Sequence, residues 1–301
     1  MTDDPQLGIL KNSIIAIGED TKLIRLATVT TFIHSLIFII YLIYLIVTLA
    51  ASRWWGAITD LLDDYVDIVT PGSERWIVIL LVWVLLLIWY AILPPIGEAA
   101  MIYYVDSKHK SGSLSLGQGT GRFFPMFEFD ATLTFLSLST LIIASSRLYA
   151  MDSINGITLT LLSVWLFISV ISMILLPYTK FIITLEGESY FDAMRQSMGL
   201  AMRHLGTTLR YVLVNLFLYL RFFLNIIIVV GIPLGMLWFA SRFDFAENSL
   251  FRILVIAVII WLISLTAYIN GIIEAFFISY WWRVYKKITK EKDLPKEVIQ
   301  N

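Results

Sequence analysis

Six stretches of the chain are almost continuously apolar: 27–51, 76–105, 126–146, 157–178, 209–240 and 250–280. A bilayer core is about 30 Å thick and takes roughly 20 residues of helix to cross. Each stretch reaches that length, and in lipid a helix satisfies its own backbone hydrogen bonds. The pattern predicts an all-α, polytopic membrane protein whose whole length, 1–301, forms one domain of six transmembrane helices.

Between the runs the pattern turns amphipathic. In 188–205, Phe191, Met194, Met198, Ala201 and Leu205 recur at helical spacing, with Asp192, Arg195, Gln196 and Arg203 opposite. Ser189 with Asp192 three residues on reads as a helix start, and Gly206 as its stop. Such a helix lies flat at the lipid headgroups with Arg195 and Arg203 towards phosphates, or packs on the ends of the bundle. Leu7, Leu10, Ile14 and Ile17 form a weaker stripe of the same kind. The loop 52–75 sets Trp54, Trp55, Ile58, Leu61, Leu62 and Val69 against Asp60, Asp63, Asp64 and Asp67. Trp54 and Trp55 suit an interfacial belt, and the aspartates its wet side. Trp281 and Trp282 stand where the sixth run meets the interface, ahead of a basic tail, 282–301.

Composition agrees. Hydrophobic residues make up 58% of the chain and charged ones 15%, against about 25% in soluble domains. A net charge of −1 gives no general attraction to nucleic acid. There is no cysteine, and His34, His109 and His204 are far apart, so no metal site, disulfide or thiolate chemistry is expected, and no cofactor motif is present. The first 25 residues open acidic and lack the short apolar core of a cleaved signal peptide. Sixteen of the 22 lysines and arginines fall in connections on one side, including Lys108, Arg122, Lys180 and Lys286. Four, Arg53, Arg75, Arg147 and Arg242, fall on the other. This bias predicts that both termini face the cytoplasm.

The ends of the even-numbered runs resemble one another. Aligning Pro95, Pro177 and Gly271 brings Glu98, Lys180 and Glu274 to equivalent positions, which suggests a threefold repeat of helical hairpins; chance likeness among apolar runs is the alternative. Ionisable residues inside spanning helices are costly and pair with one another. Glu98, Lys180 and Glu274, with Glu128, Asp130, Arg221 and Asn270, are therefore expected to form a polar cluster. In it Lys180 bridges the two glutamates. Such a cluster either fixes helix register or lines a cytoplasm-facing cavity for a headgroup or small solute. Pro94, Pro95 and Pro177 predict kinks. The hydroxyls Thr132, Thr134, Ser137, Ser139 and Thr140 predict close helix packing. Gly117-Gln118-Gly119-Thr120-Gly121 lacks the Lys-Ser/Thr of a phosphate loop and reads as a flexible connector.

Leu185-Glu186-Gly187-Glu188-Ser189 and Ala193-Met194-Arg195-Gln196-Ser197, followed by an apolar run, resemble bacterial six-helix membrane families. These include the membrane domain fused to some glycerophosphodiester phosphodiesterases; Tyr104 to Phe124 is a looser copy. The resemblance implies the membrane module alone, in a bacterial cytoplasmic (inner) membrane, and no catalytic residues. No catalytic triad or paired acid–base motif stands on a water-exposed face. The expected role is non-enzymatic: an accessory or organising subunit that docks membrane lipids or other membrane-protein subunits. Transport of a small solute or lipid through the polar cluster is the alternative, and a membrane-embedded enzyme the third reading.

Overall fold

The apolar runs fold as helices. A computed structural model describes residues 5–32, 35–36, 74–107, 112–150, 153–218, 228, 231–232, 235 and 249–293, and among them there is no strand. In chain order the helices are α1 (Pro5–Glu19), α2 (21–32), α3 (Glu74–Asp106), α4 (Gly112–Thr120), α5 (Phe123–Leu136) and α6 (Leu138–Ala150). They continue with α7 (Gly156–Leu175), α8 (Thr179–Phe181, extended by a wider π turn over Ile182–Glu186), α9 (Tyr190–Arg203), α10 (Leu205–Leu218) and α11 (Ser249–Asp293). Among the described residues, three segments are long and apolar enough to cross a membrane: Leu80–Asp106, Gly156–Leu175 and Ile260–Lys290. The pair α5 and α6, bent by 40°, makes a fourth if it is one span. Most of the predicted runs 27–51 and 209–240, and the loop 52–75 with Trp54 and Trp55, lie outside the described residues.

Local chemistry sets the boundaries. The Asn155 side chain accepts from Thr158 N at 2.9 Å, and the Thr158 hydroxyl accepts from Asn155 N at 2.7 Å, which closes the start of α7. Ser189 accepts from Asp192 N, as the sequence pattern requires, although α9 stops at His204 rather than Gly206. The predicted single helix over 126–146 is broken at Ser137, whose backbone is extended. The hydroxyls read as packing groups explain the break. Thr134 O accepts from the Ser137 and Thr140 hydroxyls at 2.8 and 2.6 Å, and Thr140 N donates to Ser137 Oγ at 3.2 Å. Ser137 thereby competes with the helix and starts the next one. Trp165 Nε1 donates to Phe135 O at 3.1 Å, which occupies a carbonyl the break releases.

Two expectations need correction. The glycine-rich stretch is no flexible connector but the body of α4, where Gly119 is buried against α3. A Cβ there would stand 2.6 Å from Ile96 O, so only glycine lets the helices approach this closely. The residues from 282 to 293, read as a tail, continue α11 without interruption. At 1.5 Å per residue its 45 residues span about 67 Å. Pro94 and Pro95 stay inside α3, whereas α7 ends at Leu175, two residues before Pro177.

The core sits at one end of the molecule. In the first half of α3, Ile77, Val78, Leu81 and Trp89 are exposed, while Ala99, Ala100, Met101 and Ile102 are fully buried. The same core takes in Met126, Phe129, Tyr178, Phe181, Ile182, Ile183, Ala275, Ile278 and Val284. The apolar sides of α3 and α7 left outside it are what hydrocarbon solvates. α2 is wedged between α3 and α11, with Gly97 against Thr30 and Gly271 against Thr28.

Candidate functional site: a charged cleft at the packed end

Pro177 is where the site begins. Proline cannot continue the backbone ladder of α7, and the chain turns through Tyr178 into the buried segment Thr179–Thr184. Ser197, on α9, brackets that turn: its hydroxyl donates to Leu175 O at 3.0 Å and accepts from Tyr178 N at 3.3 Å. Tyr178 OH meets the Thr208 hydroxyl at 2.9 Å, and its ring stands edge-on to Trp281 at 5.7 Å. The turn is therefore held from three sides, and Lys180 leaves it in one direction.

Lys180 Nζ donates to Glu98 Oε2 at 3.1 Å, joining α8 to α3. Burial alone would lower the lysine pKa; Glu98, then Glu274 and Asp130, together with the hydrogen bond to Glu98, more than offset that and hold it above the ordinary lysine value. Lys180 is thus a fixed ammonium among three carboxyl groups. Asp130 Oδ2 is buried and receives no hydrogen bond among the described residues.

Glu128 and Asn270, also expected in the cluster, stand apart from this group. Glu128 is exposed on α5, and Arg221 lies outside the described residues. Asn270, one turn before Glu274, is buried and donates to Ser35 Oγ at 2.9 Å, tying α11 to the α2 side. The Lys180–Glu98 bridge joins two of the positions that the matched helix ends singled out. The place of Asn270 was not readable in the sequence, because its partner is 235 residues away.

A cleft of about 270 Å³ opens beside the cluster. Among the described residues, Lys180, Glu274, Ser137, Ser169 and Ser172 line it together with apolar residues that include Leu133, Leu136, Met173, Phe277 and Trp281, and Ser137 places the helix break on its wall. Trp281, expected at the lipid interface, is instead 5% exposed and packed among Tyr178, Tyr211 and Tyr280, because α11 runs through the core. Trp282 likewise turns inward and donates to Asp106 Oδ1 at 2.9 Å, beside the 2.8 Å pair of Asp106 with Lys286.

The flanking helix α9 has three faces. Ala193, Ser197 and Ala201 are buried against the bundle. Phe191 and Met202 are 76% and 63% exposed, with Met198 between them and Met194 half-buried at the edge. Arg195 and Arg203 are exposed and line a second, wider hollow of about 640 Å³ with Glu186, Glu188 and Asp192. Sequence reasoning missed three further fastenings. Arg122 donates to Gly187 O and to Tyr103 OH, each at 3.3 Å; Tyr285 OH donates to Glu186 Oε1; and Tyr104 OH donates to Asp20 Oδ1 at 2.9 Å. Gly187 has φ of +81°, and a Cβ there would stand 2.5 Å from Arg122 Nη2. A glycine between two glutamates was its only trace in the sequence.

No family model, no curated protein and no solved structure matches the chain, so its function is read from its own residues.

Proposed function

We propose that the chain is a non-enzymatic integral membrane protein that holds a membrane lipid in the cleft at Lys180 and Glu274 and acts as a docking subunit for membrane partners. One observation carries this reading. The cleft sets two charged side chains, Lys180 and Glu274, within a predominantly apolar lining, which suits a ligand that is part charged and part hydrocarbon, as a lipid is. The chain purified in mild detergent should retain phospholipid at one molecule per chain through detergent exchange, measured by native mass spectrometry. A wild-type chain that emerges free of lipid would end the proposal.

In this reading the chain crosses a bacterial cytoplasmic membrane six times, as three hairpins, with both ends inside. The support is the excess of lysine and arginine in alternate connections. In the described part, α1, α4 and α9 are each followed within three residues by a further helix, α2, α5 and α10, which fits a repeated unit. Reporter fusions after Lys286 should read as cytoplasmic and those after Asp63 as external; the same compartment for both would overturn this threading. A second reading, passage of lipid or solute, is favoured by the break at Ser137 beside charged groups, since broken spans line transport sites. Movement of labelled lipid between leaflets of proteoliposomes would distinguish passage from docking.

A further inference from the structure

α9 and α10 together present one exposed apolar seam. Phe191, Met198, Met202, Leu205, Leu209 and Leu213 are all exposed, and they follow one another at steps of seven, four, three, four and four residues, the spacing of one helical face. The other side of α9 is committed to the bundle. Ala193, Ser197 and Ala201 are buried there, and Ser197 ties the helix to Leu175 and Tyr178. We infer that this seam, with Arg195, Arg203 and Arg210 beside it, is a contact surface for anionic phospholipid. Acyl chains lie along the seam, and the phosphates sit on the three guanidinium groups. This surface is separate from the cleft. It rests on the membrane reading and does not require the cleft to hold a lipid.

Position brings lipid to this face. α7 is long and apolar enough to cross the membrane and ends at Leu175, while α10 runs into the apolar stretch 209–240. α9 joins the two, so it lies at the membrane face where one apolar segment leaves and the next enters. The seam continues from α9 onto the first turns of that stretch. A soluble partner seated on α9 would leave Leu209 and Leu213 uncovered, whereas hydrocarbon covers the whole length.

Charge selects the headgroup. Arg195 stands four residues after Phe191 and three before Met198, at the edge of the seam, and Arg203 and Arg210 each directly follow a seam residue. All three are exposed, and none forms an ion pair among the described residues. The acidic groups gather at the start of α9, where Glu186 accepts from Tyr285 OH and Asp192 from the Ser189 hydroxyl. Arg203 lies eleven residues beyond Asp192, about 16 Å along the axis, and no aspartate or glutamate occurs from 193 to 243. The end of α9 that enters the membrane is therefore its basic end. An arginine stem can lie along apolar surface while its head reaches a phosphate, and the planar guanidinium takes two phosphate oxygens at once. A zwitterionic lipid offers the same phosphate but carries a cation of its own, which the arginines repel; a lipid with net negative charge does not.

The chain has no cysteine, so a bimane fluorophore on Met202→Cys reports from the seam alone. The full chain is placed in nanodiscs of equal phosphatidylglycerol and phosphatidylcholine, with bromine on the acyl chains of one lipid or of the other. Brominated phosphatidylglycerol should quench roughly fivefold more than brominated phosphatidylcholine, the factor that one basic residue contributes at an anionic surface. Bimane on Phe167→Cys, on the exposed flank of α7, should show no such preference. Arg203→Gln with Arg210→Gln, or salt at about 1 M, should bring the two lipids close to parity at Met202→Cys. Equal quenching there with the arginines intact overturns the anionic assignment. Absence of quenching by either lipid, while both quench at Phe167→Cys, means that protein covers the seam and overturns the lipid surface. A preference that survives both the double variant and salt overturns the role of the arginines. The chain with its arginines intact decides by itself should the double variant fail to fold. Each of these failures leaves the cleft to be judged by its own retained lipid, so the two proposals fall separately.

Discussion

Lys180→Met is expected to lower the stability of the folded chain by roughly 3 kcal/mol, read as a fall in the unfolding midpoint in detergent micelles. The side chain keeps its length, so packing changes little. What is lost is the ammonium that faces Glu98 at 3.1 Å, with Glu274 and Asp130 near by. Removing one member of a desolvated ion pair leaves the other charged without compensation. The usual penalty is about 3–5 kcal/mol, and the lower end applies here because Lys180 and Glu98 retain 22% and 20% side-chain exposure. Glu98→Gln added to Lys180→Met should recover a large part of the loss, since the carboxylate that faced the lysine is then gone. A single variant that unfolds at the wild-type midpoint would show that the ammonium is held for its ligand alone.

The sequence disclosed this cluster for a reason that applies to the rest of the chain. Charge in an apolar run is conspicuous, and lipid leaves few ways to accommodate it. The apolar runs, the capping pair at Ser189, and the meeting of Glu98 with Lys180 depend on spacing along one helix or on scarcity of charge. Both are visible in a string of residues. The inward turn of Trp281, the Arg122 to Gly187 contact and the Asp106 pairing with Trp282 and Lys286 depend on where helices cross, which no local period encodes. The Ser137 break is intermediate. Its hydroxyls were plain in the sequence, but a hydroxyl in a helix can bond back to its own turn or leave it, and only the neighbouring Trp165 makes the second course satisfiable.

Crossing points also set the last prediction. Alanine at Gly271 should cost about 3 kcal/mol, at or beyond the upper end of ordinary overpacking, because the added Cβ would meet the backbone of Thr28, with Cα at 2.7 Å and N at 2.8 Å. No side-chain trimming at position 28 removes those atoms, so Thr28→Gly should fail to rescue Gly271→Ala. Gly97 provides the contrast on the other flank of the same helix. There the obstructing atoms are the side chain of Thr30, with Oγ1 at 2.1 Å, Cγ2 at 2.4 Å and Cβ at 2.7 Å. Gly97→Ala alone should be destabilising too, whereas Thr30→Gly deletes every one of those atoms and should restore most of the loss, less about 1 kcal/mol for glycine within a helix. Unfolding midpoints of the two pairs of variants separate backbone contact from side-chain contact. Equal rescue at both positions would mean that α2 can slide away from α11, and that the wedge between Gly97 and Gly271 does not fix its place.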